Sequence, residues 1–187
     1  MQTLPDVYLL TVVVVTYNLT PMANTIARAL KQEKSFSSPE QEVFLGLLVA
    51  AARVAEPWEK FLKTAAQLTH SQYNVLRILR GSHPAMLPCS DIAGRMIDRD
   101  PDVTRLIDRL EKRGLVKRLR SRRDRRVVQV GITSKGLEVV GGLDAHTHRM
   151  PKALLGHLGV ERLRQLGSLL EAVISDLGKF PGSDTTV

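Results

Sequence analysis

One cysteine, few aromatic residues and no lysine or arginine before Arg28 set the first limits on this 187-residue chain. The lone Cys89 excludes an intrachain disulfide framework and a cysteine-based zinc cluster, and it suits a reducing compartment. Aromatics at 4% argue against the base-stacking platforms used by binders of single strands and RNA. The apolar run at residues 7–15, VYLLTVVVV, falls well short of the roughly 20 residues a membrane span takes. It also lacks the positive flank of a secretory signal. Residues 1–37 are therefore expected to form a poorly ordered or extra N-terminal segment, with Met22 as an alternative start. An added strand or an interfacial anchor is the competing reading. No grouping of nucleophile, base and orienter occurs, so an enzyme is not expected, and no cofactor is implied. His146 and His148 are two apart, so on a helix they diverge by about 200° and do not make a metal site.

What is present is a set of amphipathic segments. A hydrophobic content of 43% is enough for one domain, with or without an oligomerisation extension. Ser38-Pro39-Glu40-Gln41 has the form of a helix start, with a serine cap, proline at the first position and glutamine to reach back. Behind it Phe44, Leu47, Leu48, Val54, Trp58, Phe61, Leu62 and Leu68 recur at three and four, a stripe wider than a small monomer needs. Pro57 is expected to kink or divide this helix. Thr69-His70-Ser71-Gln72 repeats the capping box and opens a second helix that ends near Gly81, with His70 a solvent-facing or capping residue. A third helix is expected over Cys89 to Ile97, with Ile92, Ala93 and Met96 inward. Cys89 is either a small buried hydrophobe or a thiol activated by the helix start.

The charge is concentrated in one place. From Arg95 to Arg126 thirteen basic residues face six acidic ones, an excess of seven in a chain whose formal net charge is +8. Such a patch on an otherwise balanced protein is the footprint of a polyanion site. Within it a fourth helix is bounded by Asp100 as cap, Pro101 at its first position and Gly114 just past its end. Val103, Leu106, Ile107 and Leu110 form its core face, and Arg105, Asp108, Arg109 and Lys112 lie opposite, with Thr104 at the flank. Asp102 either accepts from a cytosine amino group or answers the helix dipole.

Leu115 to Arg120 and Val127 to Ile132 have strand composition. The loop between them holds Arg122, Arg123, Arg125 and Arg126, with Asp124 as a tie that shapes it. Arginines at such a tip suit a minor groove. Thr133-Ser134-Lys135-Gly136 starts a fifth helix, expected to run to about Arg149 or beyond, with Pro151 as a kink or end. In the last helix Leu163, Leu166, Leu170, Val173 and Leu177 form a heptad-like seam.

The stretch LTHSQYNVLRILR through CSDIAGRM, VTRLIDRLEKRGLVKR and DRRVVQVGITSKG resembles the MarR family of bacterial transcriptional regulators. The fold expected is mainly α with a small β-wing. A winged helix-turn-helix at about residues 68–136 lies within a domain over 38–178, flanked by dimerisation helices at 38–67 and 134–178. A flexible tail covers 179–187. The resemblance implies a cytoplasmic homodimer that binds double-stranded DNA at a pseudo-palindromic operator and acts as a repressor. Thr104 and Arg105 then fall where bases are contacted, and Arg123, Arg125 and Arg126 on the wing, Arg126 alternatively pairing with Asp124. The resemblance also implies a small phenolic or anionic effector beside the helix that carries Arg53 and Trp58, although Trp58 also suits core packing. The competing class is a winged helix used for protein interaction or assembly, which calls for an uncharged outer face on the fourth helix.

Overall fold

The computed structural model describes residues 25–98, 102–120 and 128–177. The chain divides into two compact units, residues 1–51 and 52–187. The first contains a short helix α1, Thr25–Leu30, with Ala27 buried, inside the segment expected to be poorly ordered or an extra N-terminal addition. It also holds the start of the long helix α2, Pro39–Ala66. Ser38 Oγ accepts from the Gln41 amide at 3.3 Å, as the sequence suggests. The return bond differs, because Gln41 Oε1 accepts from the Ser37 amide at 2.7 Å, one residue upstream of the cap. Along this part of α2, Val43, Phe44 and Leu48 are exposed.

Pro57 does not divide α2, which runs as one helix through it. A proline removes a single backbone donor, and the turns on either side keep theirs. Packing of the residues beyond it, Trp58 and Phe61 against the core and Leu62 within it, supplies a compensating contact.

In the second unit α3, His70–Ser82, is the central helix. Thr69 and Gln72 form the expected reciprocal cap, with the Gln72 amide donating to Thr69 Oγ1 and the Thr69 amide to Gln72 Oε1. Tyr73, Val75, Leu76, Ile78 and Leu79 are all buried. A two-residue strand β1, Leu87–Pro88, follows, then α4, Cys89–Ala93. The third helix is thus shorter than expected, and Ala93 is exposed while Ile92 and Met96 are buried. Gly94 donates back to Ile92 and Ser90 and closes the helix early.

Helix α5, Val103–Lys112, starts later than the sequence suggested. Asp102 is its cap, with Oδ1 accepting from the Arg105 amide at 3.0 Å, and Asp100 and Pro101 lie outside the described residues. Gly114 follows at φ +70°, the left-handed conformation that ends a helix and favours glycine. Strands β2, Val116–Arg120, and β3, Val128–Ile132, pair antiparallel, from Val116 opposite Ile132 to Arg120 opposite Val128. The sheet order is β1-β3-β2, so β2 forms one edge.

Helix α6, Ser134–Leu155, continues through Pro151 instead of ending there. Its cap Thr133 accepts from the Gly136 amide at 3.1 Å and donates to the Gly114 carbonyl at 2.7 Å, which locks the sheet end to the turn after α5. Gly136 is required by close approach, since a Cβ there would overlap the Leu115 carbonyl oxygen. The last helix, α7, is Gly159–Leu177 and has no buried residue. The expected tail falls outside the described residues. No helix among those described is long and apolar enough to cross a membrane.

Candidate nucleic-acid interface

Helix α5 carries three parallel rows of side chains at i, i+4 and i+7, each about 100° around the axis from the next. Val103, Ile107 and Leu110 form the inner row and are buried, with Ile107 and Leu110 at 0% exposure. Leu106, expected beside them, is only half-buried. Thr104, Asp108 and Glu111 form the flank. Arg105, Arg109 and Lys112 form the outer row, and all three are exposed.

Asp102 acts on both backbone and side chain at the start of this helix. Besides capping the Arg105 amide, its Oδ2 holds Arg105 Nε at 3.0 Å. Both carboxylate oxygens are thereby engaged, which favours the capping role over an acceptor for cytosine. The pair is well exposed and contributes little to stability. Its effect is orientation, because the bond to Nε leaves both terminal nitrogens of Arg105 available.

Asp108, expected on the outer face of the helix, lies instead on the flank. It pairs with Arg118 on β2, as does Glu111, with Arg118 Nη1 2.8 Å from Glu111 Oε2. Burial pulls the Arg118 pKa down, but hydrogen bonds and attraction from Asp108 and Glu111 outweigh it and raise the net value. Two acids that would repel phosphate are thus neutralised from behind the outer row. Among the described residues no carboxylate pairs with Arg109, Lys112, Lys117 or Arg120.

Arg122, Arg123, Asp124, Arg125 and Arg126 lie outside the described residues. Strands β2 and β3 bring the ends of that segment together at the Arg120 and Val128 pair.

At the expected effector position Arg53 is exposed. Trp58 packs edge-on against Tyr73, ring centroids 5.1 Å apart and planes at 81°. A cavity of about 450 Å3 lies one turn further on, lined by Phe61, Ala65, Glu138, Gly142, His146 and Arg149. The His146 ring stacks on Phe61 at 3.6 Å between centroids. His148 turns elsewhere, its Nδ1 2.7 Å from the Asp144 carbonyl oxygen. Cys89 is half-buried against the core.

A family model described as the MarR family matches residues 68–128. The HTH-type transcriptional regulator PrsX of Escherichia coli is 31% identical over 139 residues, covering 72% of this chain and 83% of the relative. The chain belongs to the MarR family. A MarR transcription factor from Planctomyces limnophilus is 38% identical, with a TM-score of 0.56 and coverage of 74% of this chain and 99% of that one. The MarR family regulator Sco3205 from Streptomyces coelicolor, solved in complex with DNA, shares the fold. Its TM-score is 0.69 at 22% identity, over 82% of this chain and 96% of that one.

Membership in the MarR family fits the mainly helical unit with its small three-stranded sheet. The structure brings Thr104, Arg105, Arg109 and Lys112 to the exposed side of α5, as the sequence places them. It adds Arg118, which sequence reasoning missed. Strand alternation carried the signal: Val116, Arg118 and Arg120 share a face, and Val116 is buried against the core.

Proposed function

We propose that the chain is a cytoplasmic, sequence-specific regulator that binds duplex DNA as a homodimer and acts as a repressor. The observation that carries this reading is the exposed row Arg105, Arg109 and Lys112, set on a helix anchored by a buried row and preceding a wing segment rich in arginine. Arginine and lysine on such a helix supply phosphate contacts for affinity and base contacts for choice. The regulator PrsX and the DNA complex of Sco3205 support the same reading. No catalytic step belongs to it. The assembly-module alternative calls for an uncharged outer face, and the cationic row occupies that face.

The direct test is selection of bound sequences from random duplex DNA, with and without phenolic acids. A preferred half-site repeated in inverted order is expected. Recovery of sequences without a preference would overturn the claim of specificity. The phenolic or anionic effector is assigned to the cavity beside Phe61, His146 and Arg149, where a stacked aromatic pair and a cation suit an aromatic acid.

The wing arginines are tested by salt. In the double variant Arg123→Ala, Arg125→Ala, the slope of log affinity against log salt should fall by roughly two units, about one per lost phosphate contact. A slope equal to that of the wild type would remove the wing from the interface.

The homodimer reading rests on apolar surface left uncovered. Leu166, Leu169, Leu170, Val173, Ile174 and Leu177 on α7 are all exposed, a seam that needs another helix. The double variant Leu166→Glu, Leu170→Glu should sediment as a monomer at micromolar concentration. Persistence of the wild-type dimer would place the interface elsewhere.

A further inference from the structure

Arg118 stands on β2, one of the two edge strands of the sheet, and reaches across to α5. Its Nη1 contacts Asp108 Oδ1 at 2.5 Å and Glu111 Oε2 at 2.8 Å. Its Nη2 donates to the Thr104 carbonyl oxygen at 3.2 Å. The Arg118 backbone amide donates to Glu111 Oε1, also at 3.2 Å. One residue therefore grips all three members of the flanking row, a span of about 10 Å along the helix. With the side chain 24% exposed, these bonds are partly shielded from water.

We infer that Arg118 is a positioning residue that sets the rotation of α5 about its own axis, and through it the aim of Arg105, Arg109 and Lys112. The inference rests on the DNA-binding function proposed above. The buried row sets the rotation of α5 coarsely by packing, but aliphatic contact is non-directional and does not fix it finely. Bonds to a carbonyl and two carboxylates along one flank remove that freedom. The planar fork of an arginine serves several acceptors at once, whereas a lysine is a point charge with no fixed fork. β2 also leads directly into the arginine-rich segment, so the residue that orients the reading helix belongs to the first strand of the wing.

The test compares Arg118→Lys with wild type on the preferred duplex and on random duplex DNA, with thermal unfolding measured alongside. The expected result is a drop of about tenfold or more in the ratio of preferred to random affinity, the scale of one base contact. Random-DNA affinity and the salt slope should stay near wild type, because the charge is retained. An unchanged ratio in the folded variant would overturn the inference. A matching fall on both DNAs, with the salt slope reduced by about one unit, would make Arg118 a phosphate contact instead.

Should Arg118→Lys fail to fold, Asp108→Asn and Glu111→Gln weaken the same contacts one at a time by removing the acceptor's charge, and each should lower the ratio in the same direction. No drop in either would overturn the inference. Were the wild type to show no preferred sequence, the regulator reading would fall first. The clamp would then be judged on the free protein, by amide hydrogen exchange across α5. Faster exchange in Arg118→Lys, by about tenfold, supports it, and unchanged protection overturns it.

Discussion

Ile107→Ala is expected to lower the free energy of unfolding by about 2 to 5 kcal/mol. Ile107 is at 0% exposure in the middle of the inner row of α5, between Val103 and Leu110. Shortening it removes buried surface and leaves a cavity that the surrounding helices fill only in part. Urea denaturation at fixed protein concentration measures the loss, with Leu119→Ala as a control. Leu119 is 55% exposed on β2 and its truncation should stay within about 0.5 kcal/mol of wild type. A loss below about 1 kcal/mol for Ile107→Ala would mean that α5 is not anchored through its inner row. DNA affinity should fall as well, because the same anchor holds the outer row in place.

Arg105→Ala is expected to lose about 1 to 3 kcal/mol of binding on the preferred sequence and little on random duplex. With Nε on Asp102 at 3.0 Å, the two terminal nitrogens form a free fork that matches O6 and N7 of a guanine. Competition titrations on both DNAs at one salt concentration separate the outcomes. Equal loss on the two would reduce Arg105 to a phosphate clamp and leave base choice to its neighbours. A guanine in the selected half-site that is no longer selected by the variant would tie the residue to that base.

Features of the fold that depend on a few adjacent residues were legible in the sequence. Thr69 and Gln72 specify a cap through their own side chains, and Gly114 ends α5 because few other residues tolerate its φ of +70°. Features decided by distant partners were not. Asp102 caps α5 through its bond to the Arg105 amide, where the sequence pointed to Asp100. β1 has two residues and exists through its pairing with β3, so no local pattern announces it. Pro57 sits inside α2 where local propensity argues for a break.

The candidate site divides the same way. Helical periodicity alone places Arg105, Arg109 and Lys112 on the outer face. It also assigned Asp108 to that face, whereas its partner Arg118 is ten residues away and visible only when β2 folds beside α5. By sequence Trp58 suits either core or pocket, and its contacts with Tyr73 and Phe61 fit the core.

The end of α5 also joins the ends of two other helices. Arg113 donates through Nη2 to the Ala66 carbonyl at 2.8 Å and through Nη1 to the Gln67 carbonyl at 2.7 Å, and its own carbonyl accepts from Lys135 Nζ at 3.0 Å. Carbonyl groups that a helix terminus normally leaves to water are here a mechanical joint between α2, α5 and α6. Movement of the C-terminal part of α2 would bear directly on the end of α5 through these bonds. For the DNA-binding function proposed above, the seating of α5 would then depend on α2 and α6 as well as on its own contacts.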